Sequence, residues 1–135
     1  MPRILAIDYG VKRTGIAVTD PLKIIATGLA GIATTGLMDF LKSYFLQEEV
    51  ERVIIGLPYN LNGTETHGTG PVLGFIEKFK KAFPSIPIET VDEQFSSKMA
   101  REALYQSGVR KKERRDKKLV DEMSATIILQ DYLHH

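Results

Sequence analysis

Residues 4–20, ILAIDYGVKRTGIAVTD, commit the start of this chain to a β-hairpin before any helix can form. The run Ile4-Leu5-Ala6-Ile7 is apolar and too short for a helix, so it is best satisfied as a strand buried within a sheet. Asp8 ends that strand. Gly10 and Gly15 bracket Val11-Lys12-Arg13, and Ile16-Ala17-Val18-Thr19 then resumes strand chemistry, as a hairpin with a glycine-containing turn does. An acid at a strand end beside such a turn stands where metals and phosphates are commonly held.

The rest of the chain alternates. Strands are expected at 3–8, 14–19 and about 23–32, after which Leu37, Phe40, Leu41, Tyr44 and Phe45 fall at i, i+3, i+4, i+7 and i+8, the apolar stripe of a helix lying on a core. RVIIGLP reads as a buried strand stopped by Gly56 and Pro58, and the polar, glycine-rich NLNGTETHGTG at 60–70 as a loop. A second helix is expected from about Pro71 to Phe83, with Pro71 in its first turn and Ile76, Phe79 and Phe83 facing inward. IPIETVDE returns as a strand, SSKMAREALYQSG as a helix opened by serine and closed by Gly108, and the last helix covers roughly 116–133.

The order βββαβαβαα predicts an α/β fold with a five-stranded mixed sheet: an antiparallel meander, then parallel strands joined by right-handed helical crossovers. With strands four and five added outward beside strand one, the sheet order is 3-2-1-4-5. The 135 residues suffice for a single compact domain, 1–135. In that order the C-terminal ends of strands one, four and five share one edge, where active sites of open α/β sheets gather.

Three carboxylates can converge on that edge. Asp8 ends strand one, Glu93 ends strand five and Asp121 lies in the last helix. With strand four between them, the two strand ends are about 10 Å apart, a gap that suits the longer side chain of glutamate. Gly56-Leu57-Pro58 leaves little bulk in the middle, and Ser124 and Ala125 make the helix face of Asp121 small enough to approach the sheet. Hard oxygen ligands without any cysteine suit Mg²⁺ or Mn²⁺. Each acid also has a bland reading. Asp8 alone caps a turn, Asp121 alone is a solvated acid near a helix start, and Asp92 competes with Glu93 because the pleat puts the two on opposite faces. His67 reads as an exposed loop residue, and His134 and His135 as a chain end or tag remnant.

Charge adds a second feature. The formal net charge is only +1, yet RKKERRDKK at 110–118 holds seven basic and two acidic residues. The run is either a solvated surface or an arm whose Arg110, Lys111, Lys112, Arg114 and Arg115 contact phosphates. Lys12 and Arg13 are either turn solubilisers or phosphate contacts beside Asp8. The absence of cysteine suits a reducing cytoplasm, and no apolar stretch approaches the roughly 18 residues of a membrane span, so a soluble cytoplasmic protein without a membrane partner is expected.

DYGVKRTGIAVTD, GLPYNLNG, VDEQFSS and VDEMSATIILQDYL resemble, in order and spacing, the four motif blocks of the YqgF/RuvX family. These are bacterial RNase H-like proteins described as Holliday junction resolvases or as nucleases maturing the small-subunit ribosomal RNA precursor. The resemblance runs from Ile4 to Leu133. It implies an RNase H-like core and a Mg²⁺- or Mn²⁺-dependent nuclease site at Asp8, Glu93 and Asp121, with Glu93 rather than Asp92. The implied substrate is structured RNA or branched DNA, in maturation of the 5′ end of pre-16S rRNA or in junction resolution, with the ribosome as a further partner and a monomer or homodimer as the working form. Two departures stand out: Gln94 replaces the family's arginine, removing a phosphate clamp, and Leu61 replaces a methionine. A non-catalytic RNA- or ribosome-binding module that keeps the acids structurally is the runner-up. A phosphotransferase ranks third: DYGVKRTG also resembles the phosphate-binding turn of the sugar-kinase and actin superfamily, whose members generally need two such domains.

Overall fold

Strand β1 (Arg3–Asp8) runs through the middle of the sheet, and burial on both faces explains its unbroken apolar run. It pairs antiparallel with β2 (Arg13–Thr19) and parallel with β4 (Val50–Leu57). Outside these lie β3 (Ala26–Ala33) and β5 (Ile88–Asp92), which completes the expected order β3-β2-β1-β4-β5. The computed structural model describes residues 2–57, 69–92 and 117–134, the side chains of Asp92 and Lys117 excepted. Glu93, Gln94, Leu61, His67, His135, the helix expected over 96–108 and the basic run from Arg110 through Lys112, Arg114 and Arg115 lie outside the described residues.

The pleat sorts the side chains into two unequal cores. Leu5, Ile7, Ile16, Val18, Val53 and Ile55 face helices α1 (Leu37–Gln47) and α2 (Thr69–Ala82), which contribute Leu37, Leu41, Val72, Phe75, Ile76 and Phe79. This side is rich in aromatic rings: Phe45, Phe75, Phe79 and Phe83 meet edge-on or tilted with centroids 4.9–6.1 Å apart. On the other side Ile4, Ala6, Ala17, Ala26 and Ile54 meet Ala125, Ile128 and Leu129 of helix α3 (Lys117–Leu133). Small residues dominate that face, so α3 sits close to the sheet.

Element bounds differ from the sequence expectation where polar groups intervene. β3 starts at Ala26 rather than about 23, because the Asp20 carboxylate accepts hydrogen bonds from the N–H groups of Leu22, Ile24 and Ile25 and holds this turn as a loop. These bonds, that of Ile25 foremost, hold the Asp20 carboxyl below its ordinary value. α2 starts at Thr69, ahead of Pro71, which remains within the first turn where its missing N–H has no intrahelical acceptor to satisfy. Phe83 lies just past the helix and is only partly buried, whereas Val72 and Phe75, absent from the expected inward set, are buried with Ile76 and Phe79.

Phe79 is fully buried and touches three other rings, while Leu46 is 83% exposed. Phe79→Ala is expected to lower the urea unfolding free energy by about 3–5 kcal/mol, and Leu46→Ala to change it by no more than about 0.5 kcal/mol. Similar losses in the two variants would contradict this assignment of the core.

Candidate active site

Three residues in one row across the sheet build the site. Asp8 at the C-terminal end of β1 pairs with Gly15 of β2, and Gly15 pairs with Gly31 of β3. Directly paired residues share a face, and Asp8 has the parity of Ile4 and Ala6, so the whole row faces α3. Helix α3 steps along this row. A Cβ at Gly31 would lie 2.5 Å from the Lys118 carbonyl oxygen and 2.8 Å from its Cα, and a Cβ at Gly15 would overlap the Asp121 carbonyl and come within 3.2 Å of its Cα. Only glycine permits backbone to meet backbone this closely. One turn of α3 therefore rests on two glycines, and Asp121 is delivered beside the strand that ends in Asp8.

A bulge makes the second glycine available. The β2–β3 register slips between Ile16 and Ala17, so Ile16 pairs with Ala30 but Ala17 pairs with Gly28. The extra residue shifts the parity of β3, and both Gly28 and Gly31 come to face α3, Gly28 meeting Glu122 and Thr126. At its far end α3 is tied down by Arg52 of β4, whose Nη1 donates to the Tyr132 hydroxyl at 2.7 Å and to Glu89 Oε1 at 3.1 Å.

The turn between β1 and β2 is held from two directions. Tyr9 stacks on Phe75 of α2 with centroids 4.9 Å apart. Thr34 donates its hydroxyl to the Gly10 carbonyl at 2.6 Å and its N–H to the Lys12 carbonyl at 3.0 Å. Since that hydroxyl proton is used on Gly10, Thr14 must be the donor of the 2.9 Å contact between the two threonine hydroxyls. Out of this fixed turn Arg13 reaches the acid: its Nε donates to Asp121 Oδ2 at 3.1 Å, with the Asp121 side chain 18% exposed and that of Arg13 41%. Lys12 is exposed and forms no ion pair of this kind with the site's acids among the described residues.

Of the residues singled out in the sequence, the fold brings together Asp8, Arg13 and Asp121. Lys12 shares the turn of Arg13; Glu93 and the basic run as far as residue 116 are outside the described residues. The described residues contain no cluster of three metal-ligating side chains. Ser124 and Ala125, on α3 itself, are buried against the sheet, as their size suggested. What sequence reasoning missed is the seat itself, Gly15 with Gly31. The signal was present as glycines in two neighbouring strands, but reading it needed the pairing register and the bulge.

A five-stranded sheet of this order, with helices on both faces and an acid at the end of its central strand, is the RNase H-like architecture of the resolvases. The fold resembles that of the fowlpox virus resolvase solved with its substrate Holliday junction DNA, with a TM-score of 0.60 at 13% identity over 98% of this chain and 97% of the other. It also resembles Thermus thermophilus RuvC solved with a Holliday junction substrate, with a TM-score of 0.59 at 17% identity over 99% and 96%. The chain belongs to the RuvX family, whose model, described as "Holliday junction resolvase", matches residues 2–135. Relatives from Flavobacterium psychrophilum, 56% identical over 98% of this chain and 97% of theirs, and from Porphyromonas gingivalis, 55% identical over 98% and 96%, both bear the name "Putative pre-16S rRNA nuclease". The family is thus one of nucleases, hydrolases that act on nucleic acid.

If α3 rests on Gly15, adding one methyl there is costly. Gly15→Ala is expected to lose about 1–3 kcal/mol of unfolding free energy, the cost of overpacking a rigid contact. Gly74, inside α2 with open space around its Cα, is the control, and Gly74→Ala should gain about 0.5–1 kcal/mol. Equal effects of the two substitutions in urea melts would show that α3 does not depend on this contact.

Proposed function

We propose that this protein is a metal-dependent nuclease that hydrolyses phosphodiester bonds in structured nucleic acid, with the 5′ end of precursor 16S rRNA as its principal substrate and branched DNA as the competing one. The observation that carries the reading is the convergence of Asp8 and Asp121 on either side of Gly15, at the strand-end edge of a resolvase-like sheet. The names borne by relatives at 50–56% identity favour the ribosomal substrate.

The donor set fits a hard divalent ion. Asp8 and Asp121 offer only carboxylate oxygens, and Asp121 already accepts a cation, the guanidinium of Arg13. The third ligand we assign is Glu93, the acid that follows β5 in the sequence. Asp8, Glu93 and Asp121 would hold Mg²⁺ or Mn²⁺, which in such sites activates water and stabilises the leaving oxygen of an in-line displacement. The chain's own work is to present these acids on rigid elements and to hold the phosphodiester still. Asp8 is fixed by a central strand and Asp121 by the glycine seat, so neither backbone must reorganise as charge develops. Arg13 and Lys12 flank the acids and orient the scissile phosphate, and the basic run at 110–118 neutralises backbone charge farther along the strand. The chain works as a single cytoplasmic domain, either alone or as a homodimer. Among the described residues, no helix is long and apolar enough to cross a membrane.

Asp8→Asn, Glu93→Gln and Asp121→Asn should each reduce Mg²⁺- or Mn²⁺-dependent cleavage by more than about 100-fold, beyond the loss typical of outer-shell partners, while the protein stays folded by circular dichroism. Precursor rRNA and a four-way DNA junction assayed side by side decide the substrate, and sedimentation in the same buffers gives the working oligomer. Tight binding without cleavage of either substrate would replace this reading with that of a binding module.

Replacing Lys111, Lys112, Arg114 and Arg115 by alanine together should weaken binding to all sequences alike and flatten its dependence on salt, since each lost phosphate contact removes about 0.9 from the logarithmic slope on duplex DNA. An unchanged slope identifies the run as a solvated surface.

A further inference from the structure

Arg13 and Lys12 are adjacent cations in one turn, yet the fold gives them different positions. Arg13 opens β2 two residues before Gly15 and shares its parity, so its side chain rises on the α3 face, where Nε donates to Asp121 Oδ2 at 3.1 Å. The backbone beneath it is pinned by Thr34 on the Gly10 and Lys12 carbonyls and by Tyr9 stacked on Phe75. Arg13 therefore cannot leave Asp121 by moving the turn, only by swinging its side chain. That swing is open, because the Arg13 side chain as a whole is 41% exposed. An ion pair with one partner so exposed confers about a two- to fivefold preference, which a divalent ion held by several carboxylates exceeds easily. The two-cation turn is thus asymmetric, one cation on the acid and one in solvent.

We propose that Arg13 is a placeholder cation and positioning residue of the site. It holds the Asp121 carboxylate in the metal-free protein, yields that carboxylate when a divalent ion binds, and is then released toward the phosphate of the nucleic acid. This inference rests on the metal-dependent nuclease reading and adds an order to it: the ion and Arg13 compete for one carboxylate, so metal entry arms the phosphate contact. Because coupling between sites is reciprocal, a bound phosphodiester that draws Arg13 away from Asp121 also strengthens metal binding. The arrangement also relieves the charge of neighbouring acids before metal arrives.

The test is a calorimetric titration of Mn²⁺ into the full chain without substrate, for wild type, Arg13→Gln, Arg13→Lys and Asp121→Asn. Arg13→Gln should bind Mn²⁺ about two- to fivefold more tightly than wild type, Arg13→Lys should fall between them, and Asp121→Asn should bind much more weakly. A second measurement uses the wild-type protein alone. The Arg13 Nε–H resonance, slowed in exchange by its bond to Asp121, should lose that protection as diamagnetic Mg²⁺ is added, and this readout holds even if Arg13→Gln fails to fold. Equal or weaker Mn²⁺ affinity in a folded Arg13→Gln, or an Arg13 Nε–H that remains protected at saturating Mg²⁺, would overturn the proposal and leave Arg13 as a structural tie between β2 and α3. Absence of Mn²⁺ binding in wild type and Arg13→Gln alike would instead overturn the metal site on which the proposal rests.

Discussion

The close approach of α3 to the sheet at Gly15 is the constraint on which the site depends. A helix that packs through Leu or Phe stands off its sheet, and a residue as short as aspartate on such a helix stays remote from a strand end. Here backbone meets backbone, because Gly15 and Gly31 offer no Cβ and Ala6, Ala17 and Ala26 add little bulk around them. The bulge in β3 is part of the same device, since without it Gly28 and Gly31 face opposite sides. The tether from Arg52 to Tyr132 then fixes the other end of α3, so the helix is held at both ends while it carries its acid.

The two faces divide the labour. The aromatic side with α1 and α2 contains the bulky rings, and it also anchors the turn after β1 through Tyr9 on Phe75. The small-residue side is the smaller of the two clusters but sets the approach of α3 to the sheet. Stability and geometry are therefore drawn from opposite faces of one sheet. A substitution that fills space is better tolerated on the first face than on the second, where the contacts are between main-chain atoms.

Much of this was legible in the sequence. The hairpin followed by alternation led to the strand order, and the apolar run before Asp8 placed that acid at the end of a central strand, because both signals are local and periodic. The family motifs marked Asp8 and Asp121, and the structure sets them on one face. The glycine seat was not legible, since it depends on register across three strands and on a one-residue slip. Nor was the difference between Lys12 and Arg13, which adjacency in a turn conceals and strand parity reveals. β3 starts later than the sequence suggests because Ile24 and Ile25 look like strand residues, while the Asp20 carboxylate captures their N–H groups for a turn. Val72 and Phe75 carry the buried stripe of α2 forward from Ile76 into its first turns, closer to the helix start than the expected inward set reaches.

The central place of β1 has a consequence for how the molecule breathes. Proteins open in cooperative units, and a strand bonded on both sides and covered on both faces belongs to the last unit to open. Leu5, Ala6 and Ile7 pair with β2 on one side and β4 on the other, and all three are fully buried. Asp8 is continuous with them. By this principle the Leu5–Ile7 backbone belongs with the unit that opens last, whereas the outer strands β3 and β5, each with a single neighbour among the described strands, belong with units that open earlier. The acid at the end of β1 is attached to the most persistent part of the chain, and any local loosening reaches it from the helix and turn side, never from its own strand.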